Sequence, residues 1–187
     1  MPKEFFERDP EVVARELLGK QLVRVLDSGC VEAVIVETEA YYGLSDPASR
    51  AYRGIKNYNK PMFSEPGITF VYNVHKYWMF NIVAHEPNKI GAVLIRAVEP
   101  IKGTELMEKK RIVKTEFDLT NGPGKLTLTL RIDKSLNEVP VTSSESPIMI
   151  SESKGSFEIA CSHRIGVRRD LDRKLRFFIK GNKYVSK

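Results

Sequence analysis

Cysteine and histidine are scarce in this sequence, which holds two of the former and three of the latter. Cys30 and Cys161 lie far apart, so they form neither the disulfide framework of a small secreted protein nor the paired spacing of a zinc site. The histidines, His75, His85 and His163, are scattered and match no zinc pattern. We therefore expect no metal, no cofactor and a reducing compartment.

Long apolar runs are also missing. No stretch approaches the roughly 18–20 apolar residues that cross a membrane, and residues 1–6 lack the apolar core of a signal peptide. The 187 residues, of which 42% are hydrophobic and 29% charged, are enough for one proper core. These features predict a single domain, 1–187, with no membrane partner.

Acidic residues are too few to balance the basic ones, and the chain carries a net charge of +6. The segment 163–187 holds nine Lys and Arg against two Asp, so it accounts for the whole excess. Clustered positive charge is typical of proteins that bind a phosphate backbone. An ordinary basic surface explains the charge equally well.

Patterns of polarity predict short strands with few helices. Asp9 followed by Pro10 is typical of a helix start, and Thr104 is expected to begin another helix that ends near Lys114. Alternating Leu and Thr over 125–132 favour a strand. Further strands are predicted at 21–26, 34–43, 68–74, 78–84, 92–98, 147–151, 157–161 and 175–180.

The strand at 34–43 changes along its length from apolar to charged and aromatic. Because side chains alternate across a strand, Ile35, Glu37, Glu39 and Tyr41 are expected on one face. Carboxylates are rarely buried unless something pairs with them or uses them. The strand alone favours an edge with two solvated acids over a functional carboxylate pair.

The segment 44–67 is long, irregular and rich in basic and aromatic residues, a combination that suits a nucleic-acid groove. Arg96 interrupts the apolar strand at 92–98, where an arginine normally has a carboxylate or phosphate partner. The strands at 68–74 and 78–84 are joined by a short turn near His75 and Tyr77. By base rate this is an ordinary surface hairpin, although its tip could also enter a groove.

Several short motifs follow one another in a characteristic order. They are Glu-Thr-Glu-Ala-Tyr at 37–41, Asp-Pro-Ala-Ser at 46–49, Tyr-Arg-Gly at 52–54, Leu-Ile-Arg-Ala-Val-Glu-Pro at 94–100, Gly-Pro-Gly-Lys-Leu at 122–126 and Arg-Ile-Gly-Val at 164–167. In this order, over nearly the whole chain, they resemble the alkyladenine (3-methyladenine) DNA glycosylase family. The resemblance implies a single α+β domain with a curved, mostly antiparallel sheet, a few helices and a protruding β-hairpin that inserts into DNA.

The resemblance also implies a monofunctional enzyme that flips damaged purines out of duplex DNA and hydrolyses the N-glycosidic bond, starting base excision repair. Flipping is needed because this bond cannot be reached inside the base stack. The implied partner is double-stranded DNA with alkylated or deaminated purines. We expect a monomer in the cytoplasm, nucleoid or nucleus, where DNA is found.

Catalytic roles carried over from the family fall on Glu39, Arg96 and Ile165. Glu39 would activate water for attack on C1′, and Arg96 would help to hold that water and Glu39. The main-chain carbonyl of Ile165 would be the third contact of the water. Tyr41 and Tyr72 would stack on the two faces of the flipped base.

The base pocket departs from the family pattern at one position. Asn81 would line the pocket and help to reject guanine through its exocyclic amine. Arg50, however, stands where the family usually has a histidine that contacts the base. An arginine only donates hydrogen bonds, and it would repel a cationic base if it pointed inward.

The hairpin tip is one residue shorter than in the family, so the intercalating residue is His75 or Tyr77, with His75 favoured. The family also implies a helix that begins at 125–131, and we adopt that helix over the strand pattern. Contacts to the DNA backbone are expected from Arg53, Lys76, Arg164 and Arg168.

Two other functions remain open. A metal-dependent nuclease could use the carboxylates of Glu37, Glu39, Asp46 and Glu99, although no spacing singles them out. A catalytically silent nucleic-acid-binding module would account for Arg50, but a pure binder has no need of the catalytic carboxylate. We expect Glu37 to be salt-bridged rather than catalytic.

Overall fold

A computed structural model describes residues 1–108, 113–153 and 155–186. Its helices are α1 (Pro10–Leu17), α2 (Thr104–Glu108) and α3 (Pro123–Thr129), with short 3-10 turns at Lys3–Phe5, Lys60–Phe63, Glu116–Leu119 and Lys134–Leu136. The strands are β1 (Gln21–Leu26), β2 (Gly29–Tyr42), β3 (Thr69–Val74), β4 (Tyr77–Val83), β5 (Gly91–Lys102), β6 (Ile148–Ser151), β7 (Ile159–Ser162) and β8 (Arg176–Ile179). No helix in the described ranges is long and apolar enough to cross a membrane.

The strands form one antiparallel sheet in the order β3-β4-β5-β2-β1-β6. The first half of β2 pairs with β1, its second half pairs with β8, and its other edge pairs with β5. β7 extends the sheet beyond β8. The predicted single α+β domain with a curled antiparallel sheet and few helices is confirmed.

Helix α1 covers the core side of the sheet. Asp9 caps it by accepting a hydrogen bond from the Glu11 N–H at 2.7 Å, and its first position is a proline. Val13 and Leu17, four residues apart, are fully buried in the main hydrophobic core. The Thr38 hydroxyl donates to the Ala14 carbonyl at 2.7 Å, which fastens the helix to the middle of β2.

The register between β2 and β5 shifts at two places in the middle of the pair. Ile35 pairs with Val98 and Glu37 with Ala97, so β2 has one extra residue there, and the next pair, between Thr38 and Ile95, leaves Arg96 extra on β5. Such bulges reverse the alternation of side chains.

As a result, Ile35 and Ala40 both lie in the main core, although their numbers differ in parity. The prediction that Ile35 shares a face with Glu37, Glu39 and Tyr41 is therefore wrong. The prediction assumed that side chains alternate along the whole strand, and it did not include the extra residue in β2.

The predicted strands are all present, with ends that differ by a few residues. The helix implied by the family at 125–131 is confirmed as α3, and the strand pattern there misled. Leu126 and Leu130, one helical turn apart, are both buried, while the Thr127 and Thr129 hydroxyls donate to the carbonyls of Trp78 and Leu119. These threonines therefore form hydrogen bonds to other parts of the fold and do not lie on the face of a strand.

The helix predicted from Thr104 to about Lys114 begins at Thr104 and is described as far as Glu108. Residues 109–112 lie outside the described part of the chain. Val113 and Lys114 are not helical, and the predicted end near Lys114 otherwise falls outside the described residues.

The segment 44–67 is held in shape by one fully buried asparagine. The Asn59 amide donates to the carbonyls of Arg50 at 2.7 Å and Gly54 at 3.0 Å, and its oxygen accepts from the Lys56 N–H at 2.6 Å. Buried side-chain bonds of this kind satisfy backbone groups that no strand pairs. The backbone of Arg50 is thereby fixed within this segment.

Candidate active site

Glu39 lies on β2 with its side chain fully buried. Its Oε1 accepts a hydrogen bond from the Ile165 N–H at 2.8 Å and lies 3.1 Å from Nη1 of Arg96. Its Oε2 accepts from the Tyr41 hydroxyl at 2.7 Å. Three groups from three parts of the chain therefore fix this carboxylate in one orientation.

The surroundings of Glu39 also set its protonation. Burial raises the pKa of Glu39, and Arg96, the Ile165 N–H and the Tyr41 hydroxyl lower it without cancelling the effect of burial. The pKa of Glu39 therefore lies above its ordinary value. A carboxylate of raised pKa is a stronger base than one in water, which suits general-base catalysis.

Arg96 is the extra residue of β5 at the second register shift, and its guanidinium lies on the same side of the sheet as Glu39. Nε donates to Glu37 at 2.7 Å, Nη1 lies 3.1 Å from Glu39, and Nη2 donates to the Ser186 hydroxyl at 3.2 Å. The prediction of a carboxylate partner for Arg96 is confirmed. The arginine bridges two carboxylates of β2.

Glu37 is fully buried and saturated with donors. Besides Arg96, it accepts from Nε of Arg176 at 2.6 Å, from the Ser186 N–H at 2.7 Å and from the Ser186 hydroxyl at 2.8 Å. The expectation that Glu37 is salt-bridged is confirmed. The sequence interpretation missed Arg176 and Ser186, although an arginine inside the strand predicted at 175–180 was a signal of the same kind as Arg96.

The loop that carries Ile165 is fixed by a buried ion-pair network. The side chain of Arg164 has no exposed surface, and it donates to both Asp46 oxygens at 2.6 and 2.8 Å and to Asp170 at 2.9 Å. Its guanidinium also stacks 4.5 Å from the ring centroid of Tyr41. Although burial lowers it, Asp46 and Asp170 hold the pKa of Arg164 above its ordinary value.

This burial corrects the expectation that Arg164 contacts the DNA backbone. Its donors are already bound to carboxylates and to the Ala40 carbonyl, so none is free for phosphate. The sequence interpretation did not identify Asp170 and did not recognise Asp46 as the partner of Arg164. The Asp-Pro turn at 46–47 and the Arg-Ile-Gly-Val motif are brought together here.

A cavity of about 870 Å³ opens beside Glu39. Tyr41, Tyr72, Arg50, Arg96 and Ile165 all contribute to its wall. The exposed part of the lining is basic and also contains His75, Arg53, Arg168 and Arg169. The structure thus gathers most of the expected site residues around one cavity.

A small recess adjoins the cavity between Tyr41, Tyr72 and Arg50, and Asn81 forms part of its wall. The Asn81 amide nitrogen donates to the carbonyls of Phe70 at 2.9 Å and Met79 at 3.2 Å, which fixes the orientation of the side chain. Asn81 therefore lies next to the two tyrosines, as expected, but its role toward guanine stays a prediction.

The hairpin of β3 and β4 turns at His75 and Lys76, and His75 takes a left-handed conformation with φ of 55°. Tyr77 packs on α3 so closely that a Cβ on Gly124 would lie 2.8 Å from the tyrosine ring. His75 is exposed and lines the cavity, whereas Tyr77 does not. Of the two candidates for intercalation, His75 therefore borders the cavity, and Tyr77 packs against α3.

The four carboxylates of the alternative nuclease do not converge. Asp46 is bound to Arg164, and Glu99 accepts a hydrogen bond from Asn182 at 2.6 Å. Within the described ranges, no group of three or more His, Cys, Asp or Glu side chains could hold a metal ion. Among the partners that the structure describes, Arg96 is shared by Glu37 and Glu39, and none is shared with Asp46 or Glu99.

Comparison with known proteins agrees with this geometry. A model of the methylpurine-DNA glycosylase family matches residues 4–183. A protein of Aeropyrum pernix is 42% identical over 190 aligned residues, which cover 100% of this chain and 93% of the relative. Relatives from Carboxydothermus hydrogenoformans and Clostridium perfringens are 40% identical and are covered to 98% of their length, with 100% and 99% of this chain aligned. All three are named "Putative 3-methyladenine DNA glycosylase".

Proposed function

Because the chain belongs to the methylpurine-DNA glycosylase family, we propose that it is a monofunctional DNA glycosylase. It flips damaged purines out of duplex DNA and hydrolyses the N-glycosidic bond, the first step of base excision repair. The observation that carries this proposal is the buried carboxylate of Glu39, which is oriented by Tyr41, Arg96 and Ile165, three residues that line a basic cavity. The enzyme acts as a monomer in a compartment that contains DNA.

In the proposed reaction, Glu39 takes a proton from water while the water oxygen attacks C1′ of the flipped nucleotide. The bond between C1′ and the purine nitrogen breaks, and the purine leaves with the electron pair. The sugar passes through a transition state with positive charge at C1′, which the carboxylate stabilises. Arg96 and the Ile165 carbonyl hold the water. The Ile165 N–H donates to Glu39, which supports a position of the Ile165 carbonyl near the water.

The flipped base is bound between Tyr41 and Tyr72, which share the wall of the cavity and its recess. The Arg164 guanidinium stacks on the Tyr41 ring, 4.5 Å from its centroid, and so holds the ring in place. Stacking of bases on aromatic rings is worth about 1–3 kcal/mol per base and tolerates different purines. Asn81 contributes selection against guanine from the recess.

The duplex is held by exposed positive charge around the cavity. Arg53 and Arg168 line it, and Lys76 lies at the hairpin tip beside His75. We propose that these three basic residues contact phosphates, and that His75 enters the DNA helix at the position of the flipped nucleotide.

The nucleophile is water, since no lysine amine lies among the described residues that line the cavity. The enzyme therefore leaves an abasic site and no strand break.

The decisive experiment is single-turnover base release by wild type and Glu39→Gln. The duplexes carry hypoxanthine, 1,N6-ethenoadenine or alkylated adenine. Wild type is expected to release a base, and Glu39→Gln to bind the duplex without release. A matched control is Glu158→Gln, which changes an exposed carboxylate paired with Lys180 and should behave as wild type. Binding without release by wild type would identify a silent binding module, and a nick formed without alkali would contradict the monofunctional mechanism.

A further inference from the structure

The side chain of Arg50 lies at the wall of the proposed base pocket. Its guanidinium is 4.8 Å from the ring centroid of Tyr72, and it lines both the cavity and the recess that contains Asn81. The Asn59 amide donates to the Arg50 backbone carbonyl, so the backbone from which the side chain extends is fixed. Because the guanidinium lies over the face of the Tyr72 ring, a purine that stacks on this face would have to displace it and would then lie beside it.

Arg50 differs in one respect from the other arginines next to Tyr41 and Glu39. Arg96 is neutralised by two carboxylates, and Arg164 by Asp46 and Asp170. Arg50 forms no ion pair with any carboxylate in the described ranges. Its side chain bonds instead to the hydroxyls of Tyr72 and Tyr58, so no carboxylate neutralises its charge. Solvent screens this exposed charge in part, but a base bound against the guanidinium excludes water from that side.

A guanidinium has five N–H donors and no acceptor. It matches purine edges that present the O6 and N7 acceptors, which arginine binds as a pair. Hypoxanthine presents both atoms and is neutral. A purine methylated at N7 has lost one acceptor and carries a positive charge, which Arg50 repels.

We propose that Arg50 selects among damaged purines, and that the pocket favours neutral purines with hydrogen-bond acceptors on the edge that faces Arg50 over cationic alkylated purines. This inference rests on the proposed glycosylase function and narrows its substrate class.

The same charge assists the bond cleavage of neutral purines. As the bond to C1′ breaks, the electron pair moves onto the purine, and the ring gains negative charge. A fixed guanidinium beside the ring stabilises that charge in the transition state, and the departing base then takes a proton from solvent. A cationic purine leaves as a neutral molecule, so it gains nothing from Arg50.

The test compares duplexes with hypoxanthine and with 7-methylguanine, and each enzymatic rate is divided by the rate of spontaneous base loss. Arg50→Gln removes the charge and keeps a donor. We expect this variant to slow hypoxanthine release at least tenfold and to leave 7-methylguanine release unchanged or faster. The matched control is Arg53→Gln, an exposed arginine of the same cavity, which should slow both reactions by the same factor through weaker DNA binding. Melting temperatures confirm that both variants are folded.

Each result has one meaning. A fall in the ratio of hypoxanthine release to 7-methylguanine release for Arg50→Gln, with a constant ratio for Arg53→Gln, supports the selection by Arg50, and a rise in that ratio overturns it. Equal effects of Arg50→Gln on both lesions overturn that selection while the glycosylase function stands. No base release by wild type from any lesion overturns the proposed function and this inference with it.

Discussion

Glu37 and Glu39 are the two carboxylates of the Glu-Thr-Glu-Ala-Tyr motif, and the structure gives them different surroundings. Glu37 binds two buried guanidinium groups, those of Arg96 and Arg176, at 2.7 and 2.6 Å. Glu39 is bonded to Tyr41, Arg96 and Ile165, which line the cavity, and burial raises its pKa. We predict that Glu37→Gln mainly destabilises the protein, whereas Glu39→Gln mainly abolishes base release.

The size of the first effect follows from the charges left behind. Removing one partner of a buried ion pair costs about 3–5 kcal/mol, because the other charge stays buried without compensation. In a chain of this length, each kcal/mol lowers the melting temperature by about 2–4 °C, so Glu37→Gln is expected to lower it by roughly 6–20 °C. Glu39→Gln should cost less, since a raised pKa means that the folded state disfavours the charged carboxylate at neutral pH.

The assay combines thermal unfolding with single-turnover base release at a temperature where every variant is folded. Glu32→Gln is the matched control, because Glu32 lies on the same strand and forms a surface ion pair with Lys102 at 2.9 Å. Such pairs are worth about 0–1 kcal/mol, so this variant should resemble wild type. The reasoning is refuted if folded Glu37→Gln is as inactive as Glu39→Gln. It is also refuted if Glu37→Gln has the same melting temperature as Glu32→Gln.

Three further predictions concern the surroundings of Glu39 and the DNA contacts. Base release should fall as the pH drops through the raised pKa of Glu39, and Tyr41→Phe, which removes a hydrogen bond that lowers this pKa, should move that acid limb to higher pH; an unmoved pH–rate profile would contradict this. Arg164→Met should destabilise the fold by about 3–5 kcal/mol and leave the salt dependence of DNA binding unchanged, whereas Arg168→Met should reduce that slope by about one and barely change stability. His75→Ala should lower base release without changing the melting temperature, and a loss of stability would show that His75 packs in the fold instead.

The sequence was sufficient for most of the sheet. Strands such as Gln21–Leu26 and Gly91–Lys102 were predictable because alternation and β-branched residues are local signals. The two register shifts in the middle of the β2–β5 pair were not predictable, since one extra residue on each strand leaves no mark on composition. They matter because they turn Glu37 and Glu39 to the face opposite Ile35 and leave Arg96 as the extra residue of β5, beside both carboxylates.

The site was predictable where a residue is unusual for its local surroundings. Glu39 and Arg96 are charged residues in apolar strands, and both take part in one buried network. Asp170 and Ser186 carry no such signal, because an acid near arginines or a serine is ordinary. Their partners come from distant parts of the chain, at Arg164 and Glu37, and only the folded structure brings them together.

The basic segment 163–187 shows why a count of charges is a poor guide to a binding surface. Arg164, Arg176 and Lys180 are each paired with a carboxylate in the structure, and so add little to any field around the protein. Arg168 and Arg169 form no ion pair in the described ranges and line the cavity. These two arginines belong to the loop that also brings the Ile165 N–H to Glu39, so under the proposed function the same loop couples phosphate contacts to the position of Glu39.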